Sequence, residues 1–285
     1  MDSTVIFSVI FPGNLPFFES FLKSLANQSE KRFSLALAVD NVPDIQEHIK
    51  EYQKHFPIKY LGVSGSIASV RRQGIEWLLS MPIEKVIFAD TDDLLSADRV
   101  KVCKKLLDNH PVIVSDLYPF ANETDFPEKG FWQVRMQDME LFSFESILNY
   151  NFVGLGNSAV RKEIISTVEI PDSIKVVDWF LFSQWLRKTN ARGVFTHEGP
   201  MMYRQHEANM SGVKKLTVQR LFNIIEVKKI HYENSDDVLF SKQLKRLYAL
   251  EKELKNDSDY LNAAIENLNR KPVNFYWWEE TEYIL

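Results

Sequence analysis

Short apolar runs alternate with helical periods along the first 115 residues, and this alternation constrains the fold more than any other feature. The runs cover residues 5–11, 33–39, 58–63, 86–89 and 111–115, and helical spacing occupies 17–25, 45–55, 67–80 and 99–109. Runs that are apolar on both faces are typical of parallel strands covered by helices on both sides. The pattern therefore predicts an α/β fold with a mostly parallel, doubly wound sheet.

The second half of the chain has a different pattern. Periodicity fails over residues 118–139, which predicts a long loop, and such loops are usually functional. Helices are expected at 144–150 and 178–188, whereas residues 203–209 are too polar for a strand interior. Three amphipathic helices follow between 214 and 268, with a break at 256–258. The aromatic cluster at 275–278 is expected to pack on the domain or in a homodimer, with an interfacial anchor as the alternative.

The composition is that of an ordinary globular protein. Its 285 residues are 45% hydrophobic, enough for a substantial core, and a net charge of -5 argues against nucleic acid as a partner. The single cysteine, Cys103, excludes an internal disulfide and a cysteine zinc cage. No apolar stretch approaches the roughly 20 residues of a membrane span. We expect a cytoplasmic protein, with peripheral contact at the inner membrane face as an alternative.

Three carboxylates follow the fourth apolar run directly, as Asp90, Asp92 and Asp93 around Thr91. In open α/β sheets, ligands bind at the carboxyl ends of strands. Adjacent like charges are costly unless they share a hard cation such as Mg²⁺ or Mn²⁺. A metal or nucleotide site is therefore favoured. The alternative is that one acid caps the next helix, which leaves two acids unexplained.

The order of the motifs over roughly residues 4–212 resembles that of inverting family-2 nucleotide-sugar glycosyltransferases. The first strand ends in a proline turn and the second in an acid. The segment 69–75 is similar to the family's Ser-Ala-Ala-Arg-Asn-x-Gly-Ile, with Arg71 retained and Arg72 in place of the Asn. Asp90-Thr91-Asp92-Asp93 corresponds to the family's Asp-x-Asp-Asp signature.

Two later segments extend the resemblance. Val177-Asp178 stands where the family has a Glu-Asp pair at the start of a helix, so the Asp is kept and the Glu is lost. Residues 203–206 with 209–212 are similar to a segment of bacterial rhamnosyltransferase-like members, in which an arginine and a histidine lie near the diphosphate. Arg204 and His206 match those two positions.

The resemblance implies a GT-A fold over residues 1–212, with a nucleotide-binding half at 1–117, an acceptor half at 118–212 and a helical extension at 213–285. It implies metal-dependent, inverting transfer from a nucleoside-diphosphate sugar to a saccharide or lipid-linked acceptor, in surface polysaccharide or glycoconjugate synthesis. A UDP-sugar is favoured by analogy through Asp40. The metal would be Mn²⁺ or Mg²⁺.

Each matched residue then has an expected role. Asp178 is the expected base, and a helix N-terminus should lower its pKa; its alternative role is a helix cap. The expected metal ligands are Asp92, Asp90 and His206. The expected nucleotide-sugar contacts are Phe11, Pro12, Asn14, Asp40, Arg71, Asp90, Thr91 and Arg204. The expected acceptor contacts are Trp132, Gly156 and Trp179.

These roles have plain structural alternatives and two functional rivals. The tryptophans are candidates for the core, the glycine for a turn, and Arg204 and His206 for an exposed loop. A nucleotide-sugar binding module without turnover would account for the missing Glu. A haloacid-dehalogenase-type phosphatase ranks lower, because it carries its acids on the first strand and has Thr or Val where Leu94 stands.

Overall fold

The computed structural model describes residues 4–206, 215–235 and 237–285. The strands are β1 (Thr4–Ile10), β2 (Ser34–Asp40), β3 (Ile58–Val63), β4 (Lys85–Phe88), β5 (Leu94–Leu95), β6 (Val112–Phe120), β7 (Leu141–Phe142), β8 (Ser158–Arg161) and β9 (Gly193–Arg204). The α-helices are α1 (Leu15–Ala26), α2 (Ile45–Ile49), α3 (Ile67–Ser80), α4 (Arg99–Leu107), α5 (Val177–Thr189), α6 (Val218–Glu233), α7 (Val238–Asn256) and α8 (Ser258–Arg270).

One sheet runs through the molecule in the order β3-β2-β1-β4-β8-β6-β9-β5, with β7 also paired to β9. Strands β3, β2, β1 and β4 are parallel neighbours. Strand β8 is antiparallel to both β4 and β6, and β6 is parallel to β9. The carboxyl ends of β1, β2, β4, β6 and β9 therefore meet at one edge of the sheet, where ligands bind in open α/β folds.

The core forms because the central strands are apolar on both faces. Every residue of β1 is buried, as expected for a strand covered by helices on both sides. The ring of Phe88 on β4 meets Phe7 edge-on at 6.0 Å and stacks with Trp185 of α5 at 6.1 Å. On α3, a Cβ at Gly74 would lie 2.6 Å from the ring of Phe7, so this glycine lets helix and strand approach closely.

The predicted mixed α/β fold with a mostly parallel sheet is confirmed, and the differences are local. The helix expected over 45–55 divides into α2 and a short 3₁₀ turn at Tyr52–Lys54, and the helix expected at 144–150 is a 3₁₀ turn at Phe144–Ile147. Strand β6 continues to Phe120, inside the expected loop, because β9 pairs with it along that length.

Strands β8 and β9 were not predicted. The polarity of residues 203–206 argued against a strand, yet Tyr203 and Arg204 are the last residues of β9. Both residues pair with β6, and the backbone N–H of Arg204 donates to the carboxylate of Asp93. Residues 209–212, which completed the rhamnosyltransferase-like segment, lie outside the described residues.

The three amphipathic helices of the C-terminal part are α6, α7 and α8, as predicted. Asp257 marks the predicted break, and its carboxylate accepts the backbone N–H groups of Asp259 and Tyr260 to cap α8. In the described ranges, no helix is long and apolar enough to cross a membrane. The proposed division at residues 117 and 212 stays a prediction.

Candidate active site

A cleft opens at the carboxyl edge of the sheet and has two adjoining parts. The outer part, about 350 Å³, is lined among others by Phe11, Asn14, Arg71 and His206. The inner part, about 100 Å³, extends to Asp178. Residues lining both parts are Asp90, Asp93 and Tyr203. The fold thus brings most of the predicted site residues to one place.

Residues 90–93, the acid turn, are shaped by their own hydrogen bonds. The N–H of Asp93 donates to the carbonyl of Asp90 (3.2 Å), and the buried Thr91 hydroxyl donates to the carbonyl of Val9 on β1 (3.1 Å). Helix α4 begins only at Arg99, after β5, so none of the three acids caps it. The capping alternative is therefore wrong.

Asp93 lies under the acid turn and joins it to β9. Its carboxylate is almost fully buried and accepts the backbone N–H of Arg204 (2.8 Å). Burial, followed by the neighbouring charges of Asp92 and Asp90, raises the pKa of Asp93 well above its usual range. This acid supports the turn, a role that the sequence did not indicate.

Asp92 and His206 meet in the outer part of the cleft. Nε2 of His206 lies 3.0 Å from Oδ2 of Asp92, and the imidazole stacks on Phe17 of α1 with 5.2 Å between ring centres. Asp90 faces Arg71 instead, with 3.3 Å between Oδ1 and Nη2. Burial raises the pKa of Asp90, Asp92 raises it further, and Arg71 opposes the shift.

These donors fit a hard divalent cation that also binds substrate oxygens. In the described part of the chain, no group of three or more His, Cys, Asp or Glu side chains is gathered as a metal site. Asp92 and His206 offer one oxygen and one nitrogen donor in contact, with Asp90 lining the same cleft. Mg²⁺ is commonly held by one or two carboxylates plus substrate phosphates. Metal binding stays a prediction.

Arg204 supports the acid turn from below. Its Nε donates to the carbonyl of Asp92 (2.7 Å) and its Nη2 to Glu123 (2.7 Å). The guanidinium lies between the rings of Phe17 and Phe120, at 4.8 and 4.7 Å from their centres. Only 7% of the side chain is exposed, so the exposed-loop alternative is wrong for Arg204, and its expected phosphate contact stays a prediction. Arg71 supplies a cation inside the cleft.

The remaining predicted nucleotide contacts lie along the same edge. Phe11 and Asn14 line the outer cleft, and Pro12 begins the short turn Pro12–Asn14 after β1. Asp40 ends β2, where it is largely buried and accepts a hydrogen bond from the side chain of Asn41 (2.9 Å). It lines neither part of the cleft, and its contact with a nucleobase stays a prediction.

Asp178 lies in the first turn of α5, on the inner part of the cleft. The helix begins at Val177 with Val176 as N-cap, so Asp178 does not cap it. Oδ1 accepts the N–H of Trp179 (2.7 Å). Burial raises the pKa of Asp178 to about 6, and Asp90 adds to the rise, against the N–H of Trp179 and the charge of Arg71. The expected lowering by the helix N-terminus is wrong, because desolvation outweighs it.

Two glycines let the backbone approach the carboxylates of Asp90 and Asp178. A Cβ on Gly156 would lie 2.7 Å from Oδ2 of Asp90, and one on Gly154 would lie 3.4 Å from Oδ2 of Asp178. The buried Asn157 holds this segment, because its Oδ1 accepts the N–H of Gly154 (2.8 Å) and its Nδ2 donates to the carbonyl of Ser115 (2.9 Å). A side chain at position 156 would therefore collide with Asp90, which explains the glycine there better than a turn alone does.

The two tryptophans predicted on the acceptor side lie in the core. Trp132 and Trp179 are fully buried, their indole N–H groups donate to backbone carbonyls, and Trp179 stacks on His231 at 4.0 Å. Neither offers a face to a sugar. The tryptophans lining the inner cleft are Trp277 and Trp278, which the sequence placed only in a terminal aromatic cluster.

Comparison with solved structures gives the fold. S. aureus TarS 1-349 in complex with UDP-GlcNAc aligns with a TM-score of 0.58 and 14% identity, covering 86% of this chain and 71% of that chain. The same protein in complex with UDP aligns with a TM-score of 0.59 and 13% identity, covering 86% of this chain and 70% of that chain. TarS is a family-2 glycosyltransferase. This chain has the GT-A fold.

The likeness is confined to three-dimensional structure. No protein-family profile matches the chain, and no curated protein sequence matches it. Against the longer S. aureus TarS structure, the alignment covers 84% of this chain and 41% of that chain, at a TM-score of 0.58. These comparisons do not support the rhamnosyltransferase-like subgroup in particular.

Proposed function

We propose that the protein transfers a sugar from a nucleoside-diphosphate sugar to an acceptor hydroxyl, with inversion at the anomeric carbon and with a divalent cation. The observation that carries the proposal is the continuous cleft in which the acid turn adjoins Asp178. A donor needs charge compensation at its diphosphate, and an acceptor hydroxyl needs a base. The acid turn, which would hold the cation, and Asp178, which would be the base, both lie along this one cleft on the GT-A fold.

The outer part of the cleft is the proposed donor site. Asp92 and His206, with Asp90 beside them, would hold Mn²⁺ or Mg²⁺, which stabilises the charge that develops on a departing diphosphate. Arg71 adds a fixed positive charge next to Asp90. The TarS structures contain UDP-GlcNAc and UDP, which favours a UDP-sugar as the donor here. The nucleobase would lie toward Phe11 and Asp40.

The inner part of the cleft is the proposed acceptor site. An acceptor oxygen attacks the anomeric carbon, the bond from that carbon to the diphosphate oxygen breaks, and the diphosphate leaves with the electron pair. Asp178 takes the hydroxyl proton on Oδ2, because Oδ1 already accepts the N–H of Trp179. A pKa of about 6 leaves the carboxylate ionised at pH 7 and brings its basicity close to the working range. One displacement inverts the centre.

Release of nucleoside diphosphate from UDP-sugars, measured with and without Mn²⁺, tests the proposal. We expect release only with the metal, loss of metal-dependent donor binding in Asp92→Asn, and retained donor binding without transfer in Asp178→Asn. Isothermal titration that finds unchanged donor affinity in Asp92→Asn refutes the metal assignment.

The rival functions give different results in the same assay. A binding module binds the UDP-sugar without releasing diphosphate, and a phosphatase releases phosphate from p-nitrophenyl phosphate while ignoring the donor. The missing Glu at position 177 favours the binding module as the second candidate. The fold is that of the glycosyltransferase and leaves the phosphatase without support.

A further inference from the structure

The C-terminal aromatic segment, residues 275–278, forms a wall of the inner cleft. Trp277 exchanges both backbone hydrogen bonds with Asn151, each at 2.9 Å, in an isolated antiparallel bridge. Trp277 and Trp278 line the pocket that contains Asp178, about 100 residues earlier in the chain. Trp277 also stacks on Phe131 with 5.5 Å between ring centres.

The acids that follow this wall anchor it to the rest of the protein. Glu279 forms a two-fold ion pair with Arg135, whose guanidinium also stacks 3.9 Å from the ring centre of Tyr276. The fully buried Lys228 of α6 donates to Thr281 (2.7 Å) and to Glu282 (2.6 Å). These ion pairs are largely buried and hydrogen-bonded, so they hold the wall in one geometry.

The backbone at Trp278 is strained. Its φ of 69° lies in the left-handed region, which a bulky side chain rarely adopts. Such strain persists only where the surroundings over-determine it, and it concentrates at functional sites. An extended chain would turn consecutive side chains to opposite faces, whereas here two consecutive tryptophans line one pocket.

The indole N–H groups of the wall differ from those in the core. Indole N–H groups in the core donate to backbone carbonyls at 2.7–3.4 Å, as in Trp132, Trp179 and Trp185. Within residues 4–206, 215–235 and 237–285, no acceptor is found for the indole N–H of Trp277 or Trp278. Trp278 is nevertheless only 7% exposed. Neither indole nitrogen is among the fully buried polar atoms of these residues, so both N–H groups can donate to a ligand in the cleft.

We infer that Trp277 and Trp278 form the acceptor platform, and that the acceptor is a pyranoside. The inference rests on the proposed function and names its acceptor class. A pyranose ring has an apolar C–H face that packs on indoles and hydroxyl groups that accept their N–H bonds. The inner cleft has a volume of about 100 Å³, roughly that of three water molecules, so only an edge of the ring would enter it beside Asp178.

The test separates binding of the acceptor from binding of the donor. UDP release from UDP-GlcNAc or UDP-glucose is measured with methyl pyranosides and, as a ring-free comparison, with ribitol. Saturation-transfer NMR of the same methyl pyranosides reads binding without turnover. Trp278→Gly removes the indole and suits the left-handed backbone, since glycine adopts this φ without strain. Trp278→Phe keeps a ring and removes only the N–H.

In wild type we expect at least one methyl pyranoside, but not ribitol, to accelerate UDP release above the rate with water. Trp278→Gly and Trp277→Ala should raise the KM for that pyranoside at least tenfold, while the KM for the donor changes less than twofold. The KM of Trp278→Phe for the pyranoside should lie between those of Trp278→Gly and wild type. Trp77→Ala, a half-buried tryptophan on α3 outside the cleft, is the matched control and should leave the acceptor KM unchanged.

Three outcomes overturn the inference. The first is acceleration by ribitol but by no pyranoside, and the second is an unchanged acceptor KM in Trp278→Gly and Trp277→Ala. The third is a parallel loss of donor and acceptor affinity, which marks a merely structural role. If wild type neither binds UDP-sugars nor releases UDP, the proposed function fails instead, and the NMR comparison still decides whether the indoles bind pyranosides.

Discussion

Replacing Asp178 by Asn should abolish transfer and at the same time stabilise the protein. Burial raises the pKa of this carboxyl from 3.8 to about 6, so the folded state disfavours its ionised form. One pKa unit corresponds to about 1.36 kcal/mol, which puts the cost of keeping Asp178 ionised at pH 7 near 3 kcal/mol. Asn removes the charge, and its Oδ1 still accepts the N–H of Trp179.

The partial solvent contact of Asp178 and the new amide N–H of Asn both reduce the gain in stability. We therefore expect Asp178→Asn to raise the free energy of unfolding by about 1–3 kcal/mol at pH 7. For a chain of this size, 1 kcal/mol shifts Tm by roughly 2 °C, which predicts a rise of about 2–6 °C. Thermal or urea unfolding of both proteins measures the difference. Transfer, followed as UDP release, should fall to the background rate.

The pH dependence carries the physical content of this prediction. A carboxyl whose pKa is raised by folding binds its proton more tightly in the folded state, so its contribution to stability is favourable at low pH and is lost as pH rises from about 4 through 6. Asn cannot titrate. The advantage of Asp178→Asn over wild type should therefore be near zero below pH 4, grow between pH 4 and 6, and stay constant above.

A matched substitution separates this effect from the general one of removing a charge. Asp259 occupies the first turn of α8 but is exposed, so Asp259→Asn loses a favourable helix-dipole contact and should destabilise by about 0.3–1 kcal/mol. The reasoning is refuted if Asp178→Asn is less stable than wild type at pH 7. It is also refuted if the difference in unfolding free energy between Asp178→Asn and wild type does not vary with pH.

Three further outcomes are expected. Gly156→Ala should lower UDP release at least tenfold with little change in Tm, because its Cβ would meet Oδ2 of Asp90 at 2.7 Å; wild-type activity would contradict this. Arg135→Gln should cost about 3 kcal/mol in urea unfolding, since it leaves the buried Glu279 unpaired, whereas Arg270→Gln, from an exposed pair, should cost under about 0.5 kcal/mol. EDTA should stop UDP release and Mn²⁺ should restore it; release that persists in EDTA argues against the metal.

Much of the fold followed from local patterns. The parallel strands β1–β4 were predicted because each is an apolar run ended by a turn, and α1, α3, α4 and α5 because their apolar residues recur at helical spacing. Strand β9 was missed because Tyr203 and Arg204 look polar in sequence. In the fold, the guanidinium of Arg204 lies between two aromatic rings and its neighbours pair with β6.

The candidate site was predictable where one short segment carries the chemistry. The acid turn after β4, Arg71 on α3 and Asp178 at the start of α5 all face the cleft. The partners of these residues were harder to see. The contact between Asp92 and His206 joins residues 114 positions apart, and the pKa of Asp178 depends on burial that no local pattern reports.

The sequence by itself determined the alternation of strands and helices and the delivery of three acids to a strand end, because these depend on residues close together in the chain. Only the tertiary structure decided which tryptophans face the cleft. Trp132 and Trp179 are core residues and Trp277 and Trp278 form a wall, although all four have the same side chain. Burial and pocket geometry arise from long-range packing, and chemically identical residues acquire different roles only once the chain has closed around them.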